Sequence, residues 1–240
     1  MVDDTAILKR LKSLRPRLDV SDEDLIELFW LAHPRFQFFK TLPWDANLID
    51  IGAGNGGLAH WKSWGKYIRL DLTLYGVDMD LGEHHGLYAG WEKIDLDTRA
   101  PQFPGISLDA FYTTHLIEHL RNPKALISWI GERAESNARI YIEWPNPSST
   151  YLPTRERLLE AGIDVVISNF NDDHTHQATP SLATVESWLT ESRLSLLASG
   201  VVDIGLLGEE LFVRAKEAAT RTMGYWSMTH WSHYVVAQKL

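Results

Sequence analysis

Short apolar runs alternate with helix-like segments through most of the chain. Apolar and β-branched residues, bounded by Gly, Pro, Asn or Asp, predict seven β-strands. These strands lie at residues 47–52, 72–78, 91–96, 108–115, 138–144, 194–204 and 233–240.

The segments between the strands have apolar residues at helical spacing. Helices are predicted at 57–64, 122–135, 155–162, 182–192 and 208–221, and two short helices precede residue 39. Ser21 and Asp24 resemble a capping box before the second of these helices, and Pro123 fits the first turn of 122–135.

The alternation of strand and helix predicts an α/β fold with a doubly wound, seven-stranded and mostly parallel sheet, preceded by N-terminal helices. Parallel strands require right-handed crossovers. In such folds ligands bind outside the carboxyl ends of the strands, where the strand order reverses.

The length of 240 residues predicts a single domain over 1–240. Within it, 1–43 forms a helical N-terminal segment. Residues 145–180 are rich in Pro, Ser, Asn, Asp and His, which favours an insertion or lid over the strand ends.

The composition of the chain argues against several classes of partner and binding site. The formal net charge of -9 disfavours a nucleic-acid partner, which needs a basic surface. The sequence has no cysteine, which excludes disulfides and thiolate metal sites. No leader-like apolar segment begins the chain and no apolar run approaches ~18 residues, so the expectation is a cytoplasmic protein without a membrane partner.

A glycine-rich string, DIGAGNGG, ends the first predicted strand. Asp50 precedes Gly52, Gly54, Gly56 and Gly57 in it. Glycines at a strand end let backbone amides come close to a ligand. The glycine spacing also satisfies the dinucleotide pattern G-x-G-x-x-G, so it does not by itself separate two cofactor classes. A carboxylate at position 50 favours a cationic ligand over a pyrophosphate.

With that aspartate, the string D-x-G-x-G-x-G is similar to the first motif of class I S-adenosylmethionine-dependent methyltransferases. The resemblance extends to Asp78 after the second strand, where the family's acidic residue holds the ribose hydroxyls. Asp95, with Leu96 beside it, matches the position that faces the adenine amino group, and Asp97 is a rival for that role.

The sequence LDAFYTTHLIEHLRNP resembles the family's fourth-strand motif. By this resemblance Thr114, His115 and Leu116 border the cofactor and the methyl acceptor. Glu118 and His119 fall on the turn that follows, where fastening the loop is favoured over a direct role. The resemblance covers residues 47–145 motif by motif and implies S-adenosyl-L-methionine as the cofactor.

Three histidines are candidate general bases: His115, His174 and His176. Histidine is suited to this role near neutral pH. The last two lie beside Asp172 and Asp173, so a metal site is an alternative, although no metal is expected. Loop packing is a further alternative for this pair.

The expected activity is therefore methyl transfer from S-adenosyl-L-methionine to a small molecule or sugar. Two other functions stay open from the sequence. One is an NAD(P)-dependent oxidoreductase, which shares the glycine spacing. The other is a catalytically silent cofactor-binding protein on the same domain. The acceptor atom and the oligomeric state are not encoded in any motif.

Overall fold

The computed structural model describes residues 4–240 and contains a single seven-stranded sheet within them. Its strands are β1 (Asn47–Ile51), β2 (Thr73–Asp78), β3 (Gly90–Lys93), β4 (Ala110–Thr114), β5 (Arg139–Pro145), β6 (Leu194–Val201) and β7 (Ser232–Lys239). All seven predicted strands are present, with ends that differ by a few residues.

The strand order is β3-β2-β1-β4-β5-β7-β6, and the first five strands in this order pair in parallel. Asn137 N donates to Lys239 O at 3.0 Å, which joins the start of β5 to the end of β7. β7 therefore runs antiparallel to β5. The order reverses between β1 and β4, where the fold class puts its ligands. The doubly wound, mostly parallel fold is confirmed.

Eight α-helices accompany the sheet in the described part of the chain. They are α1 (Asp4–Ser13), α2 (Asp22–Ala32), α3 (Pro34–Lys40), α4 (Pro123–Arg133), α5 (Arg155–Glu160), α6 (Leu182–Glu191), α7 (Leu206–Arg214) and α8 (Ala218–Thr229). The predicted starts of two helices are present: the Ser21 side chain accepts from Asp24 N at 3.0 Å at the start of α2, and Pro123 lies in the first turn of α4, which Asn122 caps.

The N-terminal segment has a third helix, α3, in addition to the two expected before residue 39, and two other predicted helices differ from the structure. The helix expected at 57–64 is a 3-10 helix over Gly57–Lys62. The ammonium group of Lys40 donates to the carbonyl oxygens of Trp61 and Trp64, which satisfies backbone groups at the end of this short helix.

The helix expected at 208–221 is two helices, α7 and α8, separated at residues 215–217. The Ala215 carbonyl accepts from the Arg221 guanidinium instead of continuing a helix. Neither glycine nor proline marks this break, so no local turn signal predicts it.

The chain divides into two compact units. One contains Phe38–Trp144, Pro180–Gly200 and Tyr234–Leu240, and therefore nearly all of the sheet. Its core has two hydrophobic clusters, with Ile49 and Ile51 of β1 in one cluster and Leu48 in the other. Since alternate residues of a strand point to opposite faces, the two clusters cover the two faces of the sheet.

The other unit contains residues 4–37, Pro145–Thr179 and Val201–His233. Its own hydrophobic cluster includes Leu11 of α1, Leu158 of α5, and Phe212 and Tyr225 of α7 and α8. The predicted insertion at 145–180 thus folds with helices from distant parts of the sequence. The single-domain and lid interpretations of 1–43 and 145–180 stay predictions.

Within residues 4–240, every helix is too short or too polar to span a bilayer.

Candidate functional site

The glycine-rich string forms a sharp turn at the carboxyl end of β1. Gly52, Gly54 and Gly56 have φ angles of 76°, 55° and 82°, the left-handed region that glycine adopts without strain. The amides of Gly52 and Ala53 donate to Val77 O at 2.8 and 3.0 Å, which fastens the turn to β2.

The turn leaves space at its middle. A Cβ atom added at Gly54 would meet no heavy atom within 4 Å, although the backbone there is in the left-handed region. At Gly56 an added Cβ would lie 3.2 Å from the ring of Tyr88. Gly54 is therefore the place in the turn where a ligand can approach the backbone.

Asp78, at the end of β2, is tied directly to this turn. Its Oδ2 accepts a hydrogen bond from the amide of Gly54 at 2.8 Å. Its Oδ1 lies 3.4 Å from the amide of Asp80, at the long end of hydrogen-bonding distances. The carboxylate is half-buried, so it is fixed at the turn without being removed from water.

Asp50 lies in β1, almost fully buried at 4% exposure. The hydroxyl of Tyr88 donates to its Oδ2 at 2.7 Å. Burial raises the pKa of the Asp50 carboxyl to about 7, because the charged form loses its hydration; the Tyr88 hydrogen bond opposes this rise and the nearby Asp78 adds to it. Asp50 is thus a carboxyl group whose charge changes near neutral pH.

Residues 82–88 pack on the glycine turn. A Cβ atom on Gly82 would lie 2.4 Å from Gly54 O, and the amide of His84 donates to Asn55 O at 2.8 Å. No sequence motif indicates a role for this segment. Gly82 is the local sequence feature of this segment, but a glycine indicates a close backbone approach only when its partner is known.

Asp95 and Asp97 have local contacts typical of a turn. Asp95 is exposed, and its Oδ1 accepts from the amide of Asp97 at 2.9 Å. Asp97 accepts from the backbone amide and the guanidinium of Arg121 at 2.9 and 3.1 Å. Leu96 is half-buried against the hydrophobic core. The adenine role of Asp95 and Leu96 stays a prediction.

Thr114 ends β4, and His115 follows it with a φ of 52°, an uncommon conformation for a residue with a side chain. His115 Nε2 lies 3.1 Å from Oε1 of Glu143, and its Nδ1 lies 3.5 Å from Oε1 of Glu118. Both glutamates are fully or almost fully buried. The hydroxyl of Tyr141 donates to the second oxygen of Glu143 at 2.6 Å.

Two opposing effects determine the charge of His115. Burial disfavours the imidazolium, but the carboxylates of Glu118 and Glu143 raise the pKa of His115 above its ordinary value. Both ring nitrogens face a carboxylate. Glu143 was not identified from the sequence, because nothing in a strand pattern shows that its side chain meets a residue 28 positions earlier.

The other two candidate histidines lie in the second compact unit and differ in environment. His174 is exposed. The ring of His176 stacks on Phe170 with centroids 4.6 Å apart, and its Nδ1 lies 2.6 Å from Phe170 O. Asp173 Oδ2 is 4.0 Å from its Nε2. Packing thus accounts for His176 and does not account for His174.

The fold and the acid-flanked glycine turn are those of class I methyltransferases. A family model described as a methyltransferase domain matches residues 24–198. The chain belongs to that family and is an S-adenosylmethionine-dependent methyltransferase. This assignment excludes the oxidoreductase alternative that glycine spacing alone left open.

Solved structures agree with the fold. A chain in the complex between the Haloferax volcanii Trm112 methyltransferase activator and a methyltransferase has a TM-score of 0.55 at 13% identity, covering 98% of this chain and 94% of that one. A Mesorhizobium loti S-adenosylmethionine-dependent methyltransferase has a TM-score of 0.54 at 15% identity, with 85% and 96% covered.

Coclaurine N-methyltransferase, in a structure with N-methylheliamine and SAH, has a TM-score of 0.53 at 14% identity, with 94% of this chain and 76% of that one covered. At these identities the likeness concerns the fold alone. No curated protein sequence matches this chain significantly.

Proposed function

We propose that this methyltransferase acts on a small-molecule acceptor and holds its cofactor at the carboxyl ends of β1, β2, β3 and β4. The proposed cofactor-binding residues are Asp50, Gly52, Gly54, Gly56, Asp78, Asp95, Leu96, Thr114 and His115.

The observation that carries this assignment is the Gly54–Asp78 contact. The backbone at Gly54 has free space beside it. Its amide is hydrogen-bonded to the half-buried carboxylate of Asp78, at the end of the adjacent strand. A carboxylate has two oxygens and can accept from two neighbouring hydroxyls, as a ribose presents. Asp50 adds a second acidic group at the turn, which suits a ligand with an ammonium and a sulfonium group.

S-adenosyl-L-methionine supplies an electrophilic methyl group on its sulfonium sulfur. The protein's own task is then to hold the acceptor in line and to exclude water. An acidic acceptor hydroxyl needs little further help, whereas a sugar hydroxyl needs a base.

The three candidate bases differ in how well their contacts suit that role. Both ring nitrogens of His115 face buried carboxylates, which favours a part in positioning the loop after β4 over proton abstraction. His174 is exposed and thus accessible to a substrate, and the ring of His176 has an oriented Nδ1. We therefore assign the base, where the acceptor needs one, to the loop that contains His174 and His176.

Charge supports a small acceptor over a nucleic acid. The chain has 32 acidic and 23 basic residues, a balance that repels a phosphate backbone. Coclaurine N-methyltransferase, whose structure holds N-methylheliamine, is a fold neighbour with a small organic ligand.

Calorimetric titration with SAH, the demethylated cofactor, tests the cofactor assignment directly. We expect SAH to bind and NADH not to bind at the same concentrations. NADH binding without SAH binding would overturn it. The acceptor is then sought by incubating the enzyme with methyl-labelled cofactor and a small-molecule extract, with RNA from the same source as the competing acceptor; label in RNA alone would overturn the small-molecule proposal.

A further inference from the structure

A buried hydrogen bond joins two residues that lie 38 positions apart in the sequence. The hydroxyl of Tyr88 donates to Oδ2 of Asp50 at 2.7 Å, and both residues are less than a tenth exposed. Tyr88 comes from the segment before β3, which the methyltransferase motifs do not include. Its hydroxyl reaches an acidic residue that belongs to the first of those motifs.

The ring of Tyr88 is held on two sides. It packs edge-on against Trp91 with ring centroids 5.1 Å apart, and it lies so close to Gly56 that an added Cβ would be 3.2 Å away. The hydroxyl therefore points at Asp50 in a fixed geometry. Any change at Tyr88 reaches the glycine turn through these contacts.

The electrostatic surroundings of this pair make the hydrogen bond important. The like charge of Asp78 on β2 raises the pKa of Asp50 further, and Tyr112 on β4 raises the pKa of Tyr88. Burial disfavours the charged carboxylate, and the Tyr88 hydroxyl is the group that counteracts burial. A cationic ligand gains from Asp50 only while Asp50 is ionised.

We propose that Tyr88 is a positioning residue for cofactor binding: its hydroxyl orients the Asp50 carboxyl group at the glycine turn and favours the ionised form, so that the cationic amino-acid end of the cofactor binds there. This inference rests on the proposed cofactor site.

The test is the affinity of Tyr88→Phe for SAH at two pH values. SAH retains the ammonium group and does not react. Since the pKa of Asp50 is about 7, a tenfold change in its proton affinity alters the ionised fraction about tenfold at pH 6.0 and little at pH 8.5. We expect Tyr88→Phe to bind SAH about tenfold more weakly than the wild type at pH 6.0 and within about twofold of it at pH 8.5.

At each pH, the dissociation constant of the variant is divided by that of the wild type. This ratio cancels the effect of the titration of the ligand's own amine. The matched control is Tyr75→Phe on β2, where the ring packs against Phe103 at 5.4 Å. It removes a hydroxyl in the same unit and should leave the ratio near one at both pH values. A Tyr88→Phe ratio that is the same at both pH values would mean a purely structural role and overturn the inference.

Asp50→Asn keeps the test decisive if Tyr88→Phe does not fold. The wild type should exceed Asp50→Asn in SAH affinity by a factor that grows about tenfold from pH 6.0 to pH 8.5, and a constant factor would overturn the inference. Failure of the proposed function has a different signature: the wild type itself would then bind no SAH at either pH.

Discussion

The imidazole Nε2 of His115 lies 3.1 Å from Oε1 of the buried residue Glu143, and the backbone amide of His115 donates to Glu143 O at 2.8 Å. Two independent contacts thus join the residue after β4 to β5. Glu118, 3.5 Å from the other ring nitrogen, adds a second carboxylate. The loop that follows β4 is therefore fastened by charge as well as by the backbone.

The first prediction concerns the charge of His115. Because the carboxylates favour the imidazolium, the pKa of His115 should lie above its ordinary value in the wild type, and Glu143→Gln should lower it. A histidine-detected NMR titration measures both values. Glu135→Gln, at an exposed position, is the control and should change neither. A His115 that titrates at or below its ordinary value would contradict the charged interpretation.

The second prediction is the effect of this ion pair on stability. A histidine whose folded pKa is raised stabilises the fold fully below its unfolded pKa of roughly 6.5, and this contribution is lost as pH rises through the folded pKa. The free energy of unfolding lost in Glu143→Gln should thus be larger at pH 6 than at pH 9. Denaturant unfolding at the two pH values measures it, and an equal loss would exclude this linkage.

The third prediction uses the space beside Gly54. Gly54→Val should reduce SAH affinity at least about tenfold while the protein stays folded, since the branched side chain occupies the space into which a ligand fits. Gly105→Val is a matched control, because Gly105 has a φ of 75° and equally open surroundings. Both variants carry a similar left-handed strain, roughly 1–2 kcal/mol. Equal SAH affinities in the two variants would remove the glycine turn from the site.

The fourth prediction concerns Asp78. Asp78→Ala should weaken SAH binding by on the order of 1–3 kcal/mol, the range for losing hydrogen bonds to a charged group. Because Asp78 also accepts from the Gly54 amide, part of this loss comes from the turn itself. The ribose contribution is isolated with a 2′,3′-dideoxy analogue of SAH, for which the loss should be smaller. Asp80→Ala, an exposed neighbour, is the control.

The sequence predicts the strands and the acidic residues at their ends because both are local. Asp50 and Asp78 each follow apolar runs that are buried wherever a parallel sheet forms. Tyr88 and Glu143 were not predicted as site residues, because each meets its partner only through the fold. The break between α7 and α8 was missed for the same reason, since the group that takes the Ala215 carbonyl is a side chain on the next helix.

The last prediction separates two roles for His174 and His176. Loop packing accounts for His176, whose ring stacks on Phe170 and whose Nδ1 lies 2.6 Å from Phe170 O, so His176→Ala should lower the unfolding temperature. His174 is exposed, and His174→Ala should leave the unfolding temperature unchanged. Neither substitution should alter SAH affinity.

Once an acceptor is known, at least one of the two substitutions should slow methyl transfer by about a hundredfold, the effect of losing a general base. The pH dependence of the rate then distinguishes loss of a base from loosening of the loop. A lost base removes the rise of the rate with pH, whereas a loosened loop lowers the rate equally at all pH values. Full activity in both variants would exclude a general base at either position and leave loop packing as the role of His176. Activity that depended on an added divalent ion would favour the metal alternative instead.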